Sequence, residues 1–293
     1  MNRIEWLAGI IGGEIGAELL RAPHDASELR VRIGRHMLLR KISGGSIFGD
    51  VVNSAQMQEI MQKLTEGSFY AHENEMLEGY FSLPGGFRAG VCGKLVLCNG
   101  RPVQLVNVSS LCIRIPHEIP GCADALAAKV LQDWPCSVLI LSPPGMGKTT
   151  LLRDFLRQLS NSGFQCALAD ERRELAACQN GVPQLNVGSN TDIMEACPKA
   201  IALNAMIRAC APQLAVLDEI GSEADAQAIR DAARCGVCVA ASAHARSIDE
   251  ILSRRYIAPL IQEGVFDLVV VLGDQPGRIL EIRKFKIEDE NGC

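Results

Sequence analysis

The stretch Val138-Leu139-Ile140-Leu141-Ser142-Pro143-Pro144-Gly145-Met146-Gly147-Lys148-Thr149-Thr150 restricts the possible folds of this chain more than any other. It reads as a buried strand, a glycine-bearing loop and the start of a helix whose apolar positions are Leu152, Phe155, Leu156 and Leu159. Backbone N–H groups of such a loop, with those left unpaired at the helix start, converge on a phosphate. Lys148 then reaches the β and γ phosphates, and the Thr149 hydroxyl holds Mg²⁺. Pro144, Gly145, Met146, Gly147, Lys148, Thr149 and Thr150 are therefore the candidate ATP-binding residues. Ser142 stands where the usual first glycine would be, while Gly145 and Gly147 keep close backbone approach possible.

Downstream, Gln213-Leu214-Ala215-Val216-Leu217-Asp218-Glu219 is an apolar strand ending in two carboxylates. After a P-loop, the first such residue holds the metal shell and the second polarises the attacking water, so Asp218 joins Thr149 as a metal candidate and Glu219 is the catalytic carboxylate. Two further polar groups end apolar strands: Asp170-Glu171-Arg172-Arg173-Glu174 after Cys166 to Ala169, and Ser242-Ala243-His244 after Val239 to Ala241. Ligands bind at the carboxyl ends of such strands, which brings Glu171 and His244 into the candidate site. Glu171 competes with Glu219 for the water, with Glu219 favoured because it directly follows Asp218. His244 is placed to report the γ-phosphate to the next helix, whose start Ser247-Ile248-Asp249-Glu250 reads as a capping box.

The periodicity around these motifs predicts an α/β fold. Strands over 137–141, 165–169, 214–217, 237–241 and 265–272 alternate with helices over 149–160, 198–210, 223–234 and 247–262, the pattern of a parallel sheet covered by helices on both faces. A turn over 273–277 and a strand over 278–286 close it. Upstream, Leu29-Arg30-Val31-Arg32-Ile33 alternates with period two, a helix is expected over 54–66, and Asn99-Gly100 marks a hairpin between 91–97 and 103–108. The paired prolines and glycine of Ile115-Pro116-His117-Glu118-Ile119-Pro120-Gly121 interrupt regular structure. The expected organisation is a small α+β domain over 1–115, a linker over 116–122 and a P-loop NTPase domain of the RecA-like (ASCE) type over 123–293.

Composition sets the remaining bounds. Lys and Arg number 29 against 34 Asp and Glu, a formal charge of −5, which argues against a phosphate-coating nucleic-acid protein. Twelve scattered cysteines read as free thiols of a reducing cytoplasm, and Cys235-Gly236-Val237-Cys238 leads into a strand, unlike a redox pair at a helix start. Arg30, Arg32, Arg35, Arg40 and Lys41 read as a solvated face, with partner binding as the alternative. Glu5, Glu14 and Glu18 break the apolar opening, so no signal peptide is expected, and no run approaches the roughly 18 apolar residues that span a bilayer.

With these residues in view, the chain resembles the stage III sporulation protein AA group, relatives of the secretion ATPases of type II and type IV systems. The marks that carry the resemblance are Leu83 through Lys94, Asn107 through Ile115, the P-loop, Asp170-Glu171-Arg172, Cys197-Pro198-Lys199-Ala200, and Ile207-Arg208 through Gly221. The resemblance implies a cytoplasmic Mg-ATP-hydrolysing motor docked on the membrane proteins of a sporulation channel complex, working as a homo-oligomeric ring, a hexamer. It also implies that Asp170-Glu171 and Ser242-Ala243-His244 complete the site, and that Arg88 and Arg114 of the amino-terminal domain reach the nucleotide. No nucleic-acid partner is expected. Two other readings stand beside this one: a nucleic-acid translocase or loader on the same core, and an ATP-binding scaffold without turnover.

Overall fold

Leu29 and Val31, the apolar members of the alternating segment, are fully buried in the first strand, β1 (Ala26–Arg32). The computed structural model describes residues 3–23, 25–273 and 277–285. The chain forms two units, Met1–His117 and Glu118–Cys293. In the first, β1 joins β2 (His36–Lys41), β3 (Ser46–Val51), β4 (Tyr80–Leu83), β5 (Phe87–Cys98) and β6 (Arg101–Arg114) in a sheet of order β3-β2-β1-β6-β5-β4. Asn99 (φ 51°) and Gly100 (φ 77°) both adopt the left-handed conformation, the requirement of a tight hairpin turn between β5 and β6. Helices α1 (Arg3–Ile11), α2 (Gly13–Leu20), α3 (Ser54–Leu64) and α4 (Glu73–Leu77) contribute Leu7, Leu19, Met57 and Met76 to the core of this sheet. The helix expected over 54–66 is thus α3, closed at its start by the reciprocal box of Asn53 and Gln56. The apolar opening of the chain folds as α1 and α2.

The second unit is built on strands β7 (Val138–Ser142), β8 (Cys166–Asp170), β9 (Thr191–Glu195), β10 (Leu214–Leu217), β11 (Cys238–His244), β12 (Leu268–Leu272) and β13 (Ile279–Lys284), in the order β13-β12-β7-β11-β10-β8-β9. All pairings are parallel except β12 with β13. Alternate residues of the central strands enter two cores. Leu139, Leu141, Ala215, Leu217, Val239 and Ala241 lie on one face, and Val138, Ile140, Leu214, Val216, Cys238 and Ala240 on the other. Both faces are covered, which is why these strands read as continuous apolar runs.

Helices α5 (Asp124–Gln132) and α6 (Lys148–Asn161) supply Leu126, Val130, Leu152 and Phe155 to the second of these cores. The first is filled by α7 (Lys199–Cys210), α8 (Glu223–Arg234), α9 (Ile248–Leu252) and α10 (Ala258–Gln262). The single helix expected over 247–262 is therefore two short ones. Pro259 has no N–H to give the turn before it, and it sits in the first turn of a new helix, where that N–H would have no intrahelical partner. Strand β9 and helix α5 have no counterpart in the expected pattern. The expected turn over 273–277 lies largely outside the described residues, as does the last residue of the expected strand 278–286.

Candidate nucleotide-binding site

The site residues are brought together by the register of the second sheet. Strand β11 lies between β7 and β10, with Ser142 opposite His244 and Leu217 opposite Ala241, so the ends of all three strands share one rim. The loop from β7 to α6 turns at Gly145 (φ 80°) and Gly147 (φ 86°), a backbone region that L side chains rarely enter. Ser142, at the position of the absent first glycine, is the last residue of β7, is fully buried and has no left-handed φ. A glycine is not required there.

Lys148 opens α6 and is 7% exposed. Its ammonium donates to the Ser142 carbonyl at 3.2 Å, the Ser142 hydroxyl at 3.4 Å and Nδ1 of His244 at 2.7 Å. These acceptors are neutral, and among the described residues no carboxylate forms an ion pair with Lys148. Burial pushes its pKa down against the pull of Asp218 and Glu219. A desolvated cation at a helix start without a paired anion suits a polyanionic ligand. Thr149 donates to Asp218 Oδ2 at 3.1 Å, while Asp218 Oδ1 accepts from Ser242 Oγ at 2.8 Å and the Glu219 N–H at 2.9 Å. A hydroxyl and a carboxylate held together by a second hydroxyl are the oxygen donors that Mg²⁺ prefers.

His244 links this pair to the catalytic candidate. An ammonium cannot accept a hydrogen bond, so Nδ1 accepts from Lys148 and the ring proton sits on Nε2, which is 3.2 Å from Glu219 Oε2. The same Glu219 oxygen lies 3.5 Å from Arg172 Nη1. Glu171 goes elsewhere: its carboxylate is 2.8 Å from Lys199 Nζ. Asp170 is 1% exposed and accepts backbone N–H bonds from Glu174, Leu175 and Ala176, so it organises its own loop. The Ser247 side chain accepts from the Glu250 N–H, but the Glu250 carboxylate turns to the Arg246 N–H instead of closing the expected box.

The contacts of Arg172, Lys199, Ser142 and Ser242 were not assigned from the sequence. Lys199 alone carried a signal, a cation in the first turn of a helix, where the dipole disfavours it. In the first unit, Arg88 on β5 stands directly opposite Arg114 on β6, and Arg114 opposite Glu28 on β1. Arg88 stacks its guanidinium over the Tyr80 ring at 3.8 Å.

The profile of the family described as sporulation stage III, protein AA matches residues 4–289. The chain belongs to the stage III sporulation protein AA family. The family protein of Bacillus subtilis (strain 168) is 35% identical over 268 residues, which cover 88% of this chain and 86% of that one. SEEDLING PLASTID DEVELOPMENT 1 of Arabidopsis thaliana is 29% identical over 205 residues, covering 69% of this chain and 29% of that protein. Among solved structures, the ATPase DotB of Legionella pneumophila matches with a TM-score of 0.62 at 14% identity, over 94% of this chain and 80% of that one. The pilus retraction motor PilT, solved with bound ADP, matches at 0.61 and 19%, over 88% and 76%. This stage III sporulation protein AA family member therefore shares the fold of the ATPase DotB and the pilus retraction motor PilT. Among its described residues no helix is long and apolar enough to cross a membrane.

Proposed function

We propose that this chain is a Mg-ATP hydrolase that drives domain motion in a sporulation-associated, secretion-like channel complex. The observation that carries the reading is the meeting of Lys148 and Thr149, at the start of α6, with Asp218, Glu219 and His244 at the ends of β10 and β11. The loop Pro144 to Gly147 and the N–H groups of Thr149 and Thr150 hold the phosphates, and Lys148 trades His244 for a phosphate oxygen. Thr149 and Asp218 would hold Mg²⁺, which would supply Lewis-acid neutralisation of phosphate charge. Glu219 orients the attacking water and accepts its proton, with His244 Nε2–H fixing that carboxylate.

The motor reading further assigns 1–115 to an amino-terminal domain, 116–122 to a linker and 123–293 to the ATPase domain. Arg88 and Arg114 close over the γ-phosphate in a homo-oligomeric ring, a hexamer, working on the cytoplasmic side of membrane partners. Phosphate release from ATP by the wild-type chain, with and without DNA and across protein concentration, tests the class of activity. Turnover indifferent to DNA supports the motor. Stimulation by DNA favours a nucleic-acid translocase, and ATP binding without turnover favours a scaffold. Lys148→Ala anchors the experiment, because loss of a charged hydrogen-bond donor worth about 1.5–3 kcal/mol weakens ATP binding roughly 10- to 100-fold. Unchanged binding by that variant contradicts the P-loop assignment.

A further inference from the structure

Lys199 is the first residue of α7, and its side chain is 10% exposed. A cation there meets the positive end of the helix dipole and loses most of its hydration, so both local terms oppose it. It is held by carboxylates from two segments: Glu171 Oε2 at 2.8 Å, just after β8, and Asp225 Oδ2 at 3.9 Å, in the first turn of α8. Asp225 also accepts the N–H groups of Gly221 at 3.0 Å and Ser222 at 3.1 Å, which fixes the chain immediately beyond Glu219. The hydrogen bond and charge of Lys199 hold the Glu171 carboxyl below its ordinary pKa. The two rim carboxylates are thereby separated, Glu171 to the ammonium and Glu219 to His244.

We propose that Lys199 is a positioning residue for the hydrolysis assigned above, an inference that rests on that reading. By pairing Glu171 while bracing Asp225, it fixes the segment after β8 against the segment after β10 and keeps Glu171 from competing for the place of Glu219. It acts through these carboxylates and takes no part in bond making. The sheet alone does not set this distance, because Glu171 and Glu219 both lie beyond the last residues that β8 and β10 pair with each other, Ala169 and Leu217.

The test measures kcat for ATP, and the Kd of a non-hydrolysable ATP analogue, in the 293-residue chain. The variants are Lys199→Met, Lys199→Arg, Glu171→Gln and the double Lys199→Met/Glu171→Gln. Misplacement of a carboxylate by about an ångström predicts a kcat loss of roughly ten- to a hundredfold in Lys199→Met, with Kd within about threefold of wild type. Lys199→Arg restores most of the rate. The double variant is no slower than the slower single one, since both changes remove the same ion pair. Wild-type kcat in Lys199→Met, or losses that multiply in the double, overturns the role of Lys199 and leaves the ATPase reading intact. Absent turnover in the wild type overturns both. If Lys199→Met does not fold, Glu171→Gln decides: a kcat loss of roughly ten- to a hundredfold with retained affinity, smaller than that of Glu219→Gln, upholds the proposal, and a normal kcat or a loss as large as that of Glu219→Gln overturns it.

Discussion

Lys148 Nζ and His244 Nδ1 lie 2.7 Å apart, joining the start of α6 to the end of β11. Because Nε2 of the same ring faces Glu219, the residue proposed to meet the phosphates and the residue proposed to orient water are two ends of one chain of contacts. A phosphate that draws Lys148 away leaves Nδ1 beside the Ser142 carbonyl, 3.4 Å away, and Nε2 beside Glu219. His244→Ala is expected to lower kcat by roughly 10²-fold, the lower part of the range for a group supporting acid–base chemistry. ATP-analogue affinity stays equal or rises, since Lys148 loses a competing partner. Titration with a fluorescent analogue beside steady-state turnover checks both; a large loss of affinity with normal kcat contradicts the assignment.

Acid stability should report on Asp154, on α6 and 5% exposed. Burial pushes its pKa up, but the Ala123 N–H, Arg157 and Gln158 outweigh this, and the net shift is below the ordinary 3.8. A carboxylate depressed in the folded state stabilises fully above its unfolded pKa, and that contribution is lost as pH falls through the folded value. Asp154→Asn is therefore destabilised by about 1–3 kcal/mol near pH 7, and the gap from wild type closes only below about pH 4. Urea unfolding across pH measures it. A gap that closes near pH 6 contradicts the assignment to Asp154.

The central strands of the second sheet were legible because both faces are covered, which writes runs such as Val138 to Leu141 and Leu214 to Leu217 into the chain. Strand β9 was not: it sits at the sheet edge, only partly buried, and Thr191-Asp192 begins it with polar side chains. Helix α5 followed a segment read only for its prolines and glycine, although Leu126, Ala127 and Val130 have helical spacing. Motif spacing named the residues at the strand ends, but the partners of their side chains depend on which strands are neighbours. That β11 lies between β7 and β10 sets His244 between Lys148 and Glu219, and sequence order does not reveal this. Glu171 and Glu219 are alike as letters; Lys199 distinguishes them in space.

Assembly is tested through the two arginines of the first unit. Arg88 and Arg114 are cross-strand neighbours, so their like charges share one face. If that face completes a neighbouring nucleotide site, wild-type specific activity rises steeply with protein concentration. Arg88→Ala or Arg114→Ala then gives a low, flat curve with ATP binding retained, since arginines closing on a γ-phosphate are worth on the order of 10³–10⁵ in rate. Concentration-independent turnover with both variants fully active contradicts the ring mechanism.

The most direct test of the account is phosphate release under single-turnover conditions by Glu219→Gln, with analogue affinity measured on the same preparation. The substitution keeps the side-chain shape and removes only the charge that polarises water, while Lys148, Thr149 and Asp218 remain to bind. The account predicts wild-type affinity with hydrolysis slowed roughly 10²–10⁴-fold, a larger loss than Glu171→Gln produces. Wild-type hydrolysis by Glu219→Gln, with Glu171→Gln holding ATP uncleaved, would contradict it.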